Sequence, residues 1–212
     1  MSHSVRIIKR MIDVVTSTIG LAVALPFLPL IAAAIYLESP GMIFVRQLRA
    51  GELYAVEKTP TGRGTRPRFR EFRMLKFRSM KPDAEKLTGP VLATEDDPRV
   101  TRVGAFLRRT HLDEVPQFWN VLVGDMSLVG PRPERPEFVS HLTRDIRFYG
   151  QRNVVRPGVT GWAQVCYTYG ASVEDAMQKL QYDLFYIKNL SLALDLFILF
   201  STLKTVIQRK GA

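Results

Sequence analysis

The stretch Val14-Val15-Thr16-Ser17-Thr18-Ile19-Gly20-Leu21-Ala22-Val23-Ala24-Leu25-Pro26-Phe27-Leu28-Pro29-Leu30-Ile31-Ala32-Ala33-Ala34-Ile35-Tyr36-Leu37 runs for 24 residues without a charged side chain. As a straight helix it would reach about 36 Å, longer than the roughly 30 Å of a bilayer's hydrocarbon core. Pro26 stands near its midpoint and Pro29 follows about one turn later. Each proline removes a backbone donor and presses on the preceding turn, so a break is expected at Leu25, Pro26 and Pro29. Two limbs of about 18 Å would then dip into lipid and return. Arg6, Lys9 and Arg10 precede the stretch, and Arg46 and Arg49 follow it. Positive residues favour the cytoplasmic side, and a simple span would leave one cluster on the wrong face. A re-entrant hairpin is therefore expected, with a kinked spanning helix as the alternative. A signal peptide fits poorly, because Glu38-Ser39-Pro40-Gly41 reads as a turn and no small-residue cleavage site follows the apolar run.

Working outward, the 212 residues are 46% hydrophobic and 24% charged, which allows a buried core and excludes a disordered chain. Thirty Lys and Arg against 20 Asp and Glu leave a net charge of +10, which calls for an anionic partner: nucleic acid, a lipid surface or a phosphorylated substrate. The single cysteine, Cys166, excludes an internal disulfide framework and a cysteine zinc site. His3, His111 and His141 are too scattered to suggest a metal triad.

A second apolar stretch spans Asn189 to Leu203, interrupted by Asp195. Leu192, Leu196, Leu199, Leu203 and Val206 recur at helical spacing, and Lys204, Arg209 and Lys210 close it. Its uninterrupted core is too short to span, so it reads either as an interfacial amphipathic helix or as a core helix with a satisfied Asp. Between the two apolar ends lies a polar body of several short helices and few strands. Ile43-Phe44-Val45 is a short strand candidate, residues 58–70 form a Gly/Pro/Arg loop, and Pro82-Asp83-Ala84-Glu85 reads as a helix start. Gly62 and Gly64 lack the strand-to-helix context that a phosphate-cradling loop needs. Ser172-Val173-Glu174-Asp175 reads as a capping box opening a helix through Met177, Leu180, Leu184 and Ile187. The expected fold class is mainly α with a small β element. Its divisions are a membrane hairpin over residues 1–41, a compact cytosolic body over 42–188 and an interfacial amphipathic helix over 189–212.

From Phe44 to Lys81 there are 11 Lys or Arg and three acidic residues, a basic face suited to anionic phospholipid. Lys76-Phe77-Arg78-Ser79-Met80 alternates cations with other residues, so a strand there would present Lys76 and Arg78 on one face. The densest cluster of chemically capable side chains is Leu107-Arg108-Arg109-Thr110-His111-Leu112-Asp113-Glu114-Val115-Pro116-Gln117, with Asp125 beyond it. Thr110-x-x-Asp113 fits an ordinary helix capping box. Carboxylates beside Arg108 and Arg109 also suit phosphate chemistry: guanidinium groups hold the transferred phosphoryl, and an acidic side chain holds Mg²⁺ or attacks phosphorus. Gly130-Pro131-Arg132-Pro133 would hold Arg132 on a stiff backbone, or form only a rigid surface turn.

At these residues the chain resembles the monotopic phosphoglycosyl transferases among the bacterial sugar transferases. The resemblance runs through Lys9-Arg10-x-x-Asp13, Phe44 to Gly51, Lys76-Phe77-Arg78-Ser79-Met80 and Thr110-x-Leu112-Asp113-Glu114-x-Pro116-Gln117. It continues through Asn120-Val121-Leu122, Gly124-Asp125-Met126-Ser127, Val129-Gly130-Pro131-Arg132-Pro133, Pro157-Gly158-x-Thr160-Gly161-Trp162-Ala163-Gln164 and Tyr182-Asp183. Several motifs in one order make it specific. It implies transfer of a sugar 1-phosphate from a UDP-sugar to undecaprenyl or another polyprenol phosphate, with UMP released. It further implies a monotopic enzyme on the cytosolic face of the bacterial inner membrane, at the first membrane step of polysaccharide or glycoconjugate assembly. By the same resemblance Asp113 is the nucleophile that forms an aspartyl-phosphosugar, and Glu114 is its Mg²⁺-associated partner. Lys76, Arg78, Arg108 and Arg132 serve phosphate or active-site organisation, and Pro131-Arg132-Pro133 is the nucleotide-side motif. Familiar members carry Ser-Pro at the hairpin break, where this chain has Leu25-Pro26. After Trp162-Ala163-Gln164 comes Val165-Cys166-Tyr167 in place of a Val-Asn-Gly-Arg type ending, which points to a hexose 1-phosphate as the cargo.

Two other readings stay open. Within enzymes, Asp113 could only bind metal in a one-step transfer. From a different class, a membrane-anchored module could bind nucleic acid or acidic polymer, stacking bases on the interleaved Arg and Phe of residues 68–78. Because that module leaves the carboxylate pair unexplained, no nucleic-acid partner is expected. The sequence leaves an oligomer possible.

Overall fold

In the computed structural model the protein is mainly helical; residues 3–58, 65–82, 84, 97–167, 170 and 172–207 are described. The apolar stretch forms α1 (His3–Ala24) and α2 (Leu28–Glu38), and a single 3₁₀ turn at Leu25–Phe27 separates them. The break falls where Pro26 and Pro29 deny the backbone its donors. Ser4–Glu38 is long and apolar enough to cross a membrane. Ile19, Val23, Leu25, Phe27, Leu30 and Leu37 on it are exposed.

Both ends of this helical pair grip the same body. On α1, Arg10 donates to the carbonyls of Val121 (2.6 Å) and Leu122 (2.7 Å) in α4 (Gln117–Val123). On α2, the Glu38 carboxylate accepts from the backbone N–H groups of Arg102 (2.7 Å) and Val103 (2.8 Å). It thereby caps α3 (Arg102–Arg109), whose first-turn donors have no partner within the helix. Ile35 packs beside Phe77 and Leu107, with Leu28 and Ile31 alongside.

The largest departure from expectation is a long antiparallel hairpin. Phe44 and Val45 of the short strand candidate open β1 (Phe44–Lys58), with Ile43 just before it, and β1 pairs with β2 (Thr65–Phe77). Residues 65–70, expected as loop, are therefore strand, while the Gly62 and Gly64 reading lies outside the described residues. Helical periodicity is absent there because the pattern has period two: Phe72 and Met74 are buried while Glu71 and Arg73 are exposed. Register shifts between Ala50 and Ala55 break that alternation and disguise the strand. The outer edge of β2 is covered by Asn120, which donates to the Arg73 carbonyl (2.9 Å) and accepts from the Leu75 N–H (2.9 Å).

A second, two-stranded sheet pairs β3 (Ser127–Val129) in parallel with β4 (Gly158–Thr160). Around these sheets lie α5 (Pro136–Asp145), the 3₁₀ turn Tyr149–Val154, α6 (Trp162–Cys166), α7 (Val173–Lys188) and α8 (Leu192–Ile207). The main core joins Phe72, Met74, Val121, Met126, Leu128, Val129, Tyr186 and Ile198, so hairpin, α4, β3, α7 and α8 share one apolar interior. The expected capping box on α7 is present, with Ser172 and Asp175 each bonded to the other's backbone N–H. The helix start expected at Pro82-Asp83-Ala84-Glu85 falls largely outside the described residues.

Asp195 is the satisfied Asp of a partly buried helix. Its carboxylate accepts from Lys9 Nζ (2.6 Å) and from the Tyr186 hydroxyl (2.7 Å), and Ile198 beside it is fully buried. The opposite side of α8 exposes Leu196, Phe197, Phe200 and Leu203.

Candidate active site

Asp113 and Glu114 sit in a 3₁₀ turn, Leu112–Glu114, immediately after α3. The capping box expected from Thr110-x-x-Asp113 does not form. Thr110 instead ends α3, its hydroxyl donating back to the Phe106 carbonyl (2.8 Å). The reason is His111, whose φ of 56° places it in the left-handed region and turns the chain out of the helix before Asp113. A non-glycine residue held there stores strain, of order 1–3 kcal/mol.

The turn is brought against the end of β2 and the segment after it. Gly104 makes this approach possible: a side chain there would run into the Ser79 backbone. Arg108, one turn further along α3, donates from Nε to the Ser79 hydroxyl (2.9 Å). Lys76, the penultimate residue of β2, places Nζ 2.6 Å from Glu114 Oε1 and 3.9 Å from Asp113 Oδ2. From the loop after β3, Arg132 Nη2 donates to the same Glu114 Oε1 at 2.8 Å. Two segments far from the turn in sequence, at Lys76 and Arg132, thus converge on two adjacent carboxylates.

Arg78 is not in that cluster. It lies just past the end of β2, and its guanidinium is aimed at the carbonyls of Ser39 and Pro40. The expectation that Lys76 and Arg78 share a strand face fails because the strand ends between them. Arg78 ties the hairpin's base to the exit of α2, while Lys76 serves the carboxylates.

The two acids differ sharply in environment. Burial alone would raise Glu114, but Arg132 and Lys76 outweigh it and hold the carboxyl far below the ordinary carboxylate range. Asp113 is only 6% exposed and accepts no hydrogen bond among the described residues. Its burial pushes the carboxyl above the ordinary range, Lys76 draws it partway back, and the Glu114 charge pushes it up again. Glu114 absorbs the close cations, and Asp113 is left the more basic carboxylate of the pair.

The residue least visible in the sequence is Arg152. Buried in the Tyr149–Val154 turn, it pairs with Asp183 of α7 (2.8 Å) and receives support from the Tyr149 hydroxyl, to which it donates (2.9 Å). Its Nη2 also donates to the Arg132 carbonyl at 3.1 Å. Arg152 therefore fixes the backbone of Pro131-Arg132-Pro133 from below. Pro131 closes the other side, its carbonyl accepting from the Gly158 N–H at the start of β4 (2.9 Å). Only Asp183 carried a sequence signal, as part of Tyr182-Asp183; a lone buried arginine in a short turn has none.

The interleaved Arg and Phe of residues 68–78 offer no stacking face. Phe72 and Phe77 are buried and Phe69 is half-buried against Ala50 and Tyr149, which removes the support for a nucleic-acid module.

Comparison with known proteins decides what this arrangement belongs to. The family model described as bacterial sugar transferase matches residues 4–209. The chain belongs to the bacterial sugar transferase family. Among individual relatives, it is 43% identical over 205 residues to the UDP-N-acetylgalactosamine-undecaprenyl-phosphate N-acetylgalactosaminephosphotransferase of Aeromonas hydrophila, covering 97% of this chain and 45% of that protein. It is 41% identical to the UDP-glucose:undecaprenyl-phosphate glucose-1-phosphate transferase of Xanthomonas campestris pv. campestris, across 96% of this chain and 40% of that one. The exopolysaccharide production protein PSS of Rhizobium leguminosarum bv. phaseoli is 35% identical, with 96% of both chains covered. This sugar transferase chain spans less than half the length of the first two relatives. Its matched region contains the whole site, from Lys76 to Asp183.

Proposed function

We propose that this sugar transferase moves a sugar 1-phosphate from a UDP-sugar to undecaprenyl phosphate, releasing UMP through a covalent aspartyl intermediate. In the first step an Asp113 carboxylate oxygen bonds to the sugar-bearing phosphorus. The bridging phosphorus–oxygen bond breaks, and UMP leaves with its electron pair. In the second step a phosphate oxygen of the lipid acceptor bonds to the same phosphorus and the Asp113 oxygen leaves, giving a polyprenyl diphosphosugar. Lys76, Arg108 and Arg132 offset the charge of two anionic substrates that visit one site in turn. The observation that carries this reading is the division of labour in the dyad: Glu114 takes two cations at hydrogen-bond distance, whereas Asp113 stays buried, unbonded and raised.

Among the described residues no group of three or more His, Cys, Asp or Glu side chains could enclose a metal. Two adjacent carboxylates nevertheless form an all-oxygen donor set that fits Mg²⁺, which takes one or two protein carboxylates and completes its shell with substrate phosphate and water. Glu114, with Asp113 beside it, would hold the ion, and bound Mg²⁺ would supply charge neutralisation on the diphosphate.

For the cargo we propose a hexose 1-phosphate, from the Val165-Cys166-Tyr167 ending; the relatives' names include both N-acetylgalactosamine and glucose. A cytosolic-face, monotopic seat in the bacterial inner membrane is supported by Arg10 and Glu38, at opposite ends of the helical pair, which grip one body.

The test uses purified protein in detergent with Mg²⁺ and a panel of UDP-sugars. With undecaprenyl phosphate present, UMP release is expected from a UDP-hexose. Without acceptor, donor labelled in the sugar leaves a sugar-phosphate adduct on the chain, and Asp113→Asn abolishes it. An adduct that persists in Asp113→Asn moves the nucleophile elsewhere, and turnover without any adduct favours one-step transfer.

A further inference from the structure

On the hairpin face opposite Lys76 lies an open groove of about 380 Å³, bounded by the start of β1 and the second half of β2 on one side and by α4 on the other. Arg46, Glu71 and Arg73 line it from the strands, Trp119, Val123 and Asp125 from α4 and the residue pair after it. Arg46 stands opposite Leu75 and Arg73 opposite Leu48, so the two arginines are diagonal neighbours on one face, with backbones roughly 7–8 Å apart. That spacing lets two guanidinium groups close on one phosphate. Glu71 lies two residues before Arg73 on the same strand face. Among the described residues none of Arg46, Glu71 and Arg73 forms an ion pair, and Asp125 meets only the Asn120 amide, at 3.3 Å. Two positive and two negative side chains thus share a groove without neutralising one another.

The location says what sort of molecule reaches it. α4 lies along α1: Arg10 holds the Val121 and Leu122 carbonyls at one end, and Gly20 abuts Phe118 at the other. Trp119 and Val123, one helical turn apart, are 56% and 54% exposed on the groove side. An exposed tryptophan beside a membrane helix is the side chain that settles at headgroup depth.

We propose that this groove binds the headgroup of a zwitterionic phospholipid carrying a primary amine, phosphatidylethanolamine in chemical class. Its phosphate lies between Arg46 and Arg73, and its ammonium, two carbons away, donates to Glu71 and Asp125. Trp119 and Val123 meet the glycerol and upper acyl chain. An anionic headgroup without an amine would satisfy the arginines and leave two carboxylates repelled. A choline headgroup has the right charges but no N–H to donate. The inference rests on the membrane reading of α1 and α2 and is independent of the chemistry at Asp113.

Trp162→Phe leaves Trp119 as the single tryptophan, because the chain holds two. The full chain is reconstituted in phosphatidylcholine vesicles containing equal mole fractions of phosphatidylethanolamine and phosphatidylglycerol. In each sample, one headgroup class carries brominated acyl chains that quench a nearby indole. Brominated phosphatidylethanolamine is expected to quench Trp119 more than either other class, with a local enrichment on the order of fivefold, the size of one well-placed charge contact. Arg46→Gln with Arg73→Gln, and separately Glu71→Gln with Asp125→Asn, should remove the preference while vesicle association and Tm stay unchanged. Equal quenching by all three lipids, or strongest quenching by phosphatidylglycerol, overturns the proposal and leaves the membrane reading intact. Failure of the chain to associate with vesicles overturns both.

Discussion

Asp113 and Glu114 are consecutive residues with the same functional group, and their surroundings drive them in opposite directions. As the proposed nucleophile, Asp113 must be ionised to attack, so adduct formation should fall on acidification through the Asp113 pKa, at a higher pH than an ordinary carboxylate near 3.9 would give. Lys76 is the strongest influence lowering that value. Lys76→Met should therefore move the acid limb of adduct formation to higher pH, read from rapid-quench rates across pH. Glu114 behaves with the opposite sign. Its held-down carboxyl stabilises the fold above the ordinary Glu range, and that contribution is lost as pH falls toward its folded value. Both acids stood out in the sequence as Asp113-Glu114 beside arginines. Which one is free and which one is held depends on Lys76 and Arg132, 37 residues before Asp113 and 18 after Glu114.

Among elements, the hairpin and the Tyr149–Val154 turn are where the sequence was least readable. β1 exposes Phe44, Leu48, Tyr54 and Val56 alongside charged residues, and the register shifts interrupt the alternation, so only Ile43-Phe44-Val45 and the segment around Lys76-Phe77-Arg78 read as strand. The turn matters because Arg152 links it to α7 through Asp183 and to the Pro131-Arg132-Pro133 loop through the Arg132 carbonyl. Arg152→Met should strand the buried Asp183 charge and cost about 3–5 kcal/mol, seen as a lower denaturation midpoint. Arg152→Met combined with Asp183→Leu should recover much of that stability, since no lone charge then remains buried. If Arg152 positions Arg132, the stable double variant still shows a raised KM for the UDP-sugar; a KM equal to the parent's would reduce Arg152 to a structural role.

For the whole molecule, the decisive arrangement is one body holding both ends of an apolar helical pair. Lys9 and Arg10 anchor the first limb, on α8 and α4, and Glu38 anchors the second, on α3. In a variant with Cys166→Ser, cysteines introduced as Ser4→Cys and Tyr54→Cys should both react with an impermeant thiol reagent from the cytosolic side of vesicles. Modification from opposite sides would establish a span. The amino-acid sequence by itself determined the long apolar helical element, its break at Pro26, the mainly helical body and the identity of the acidic pair. These follow from local chemistry: an uncharged run, missing backbone donors and a dense cluster of ionisable side chains are all readable within a few residues. Tertiary structure alone decided that Arg78 leaves the site, that Thr110 ends a helix and that Asp195 is satisfied by Lys9 and Tyr186. It also placed Arg152 beneath Arg132. Each of those outcomes is a contact between residues distant in the chain or a backbone turn such as that at His111, and pairing energies at such distances have no signature in local composition.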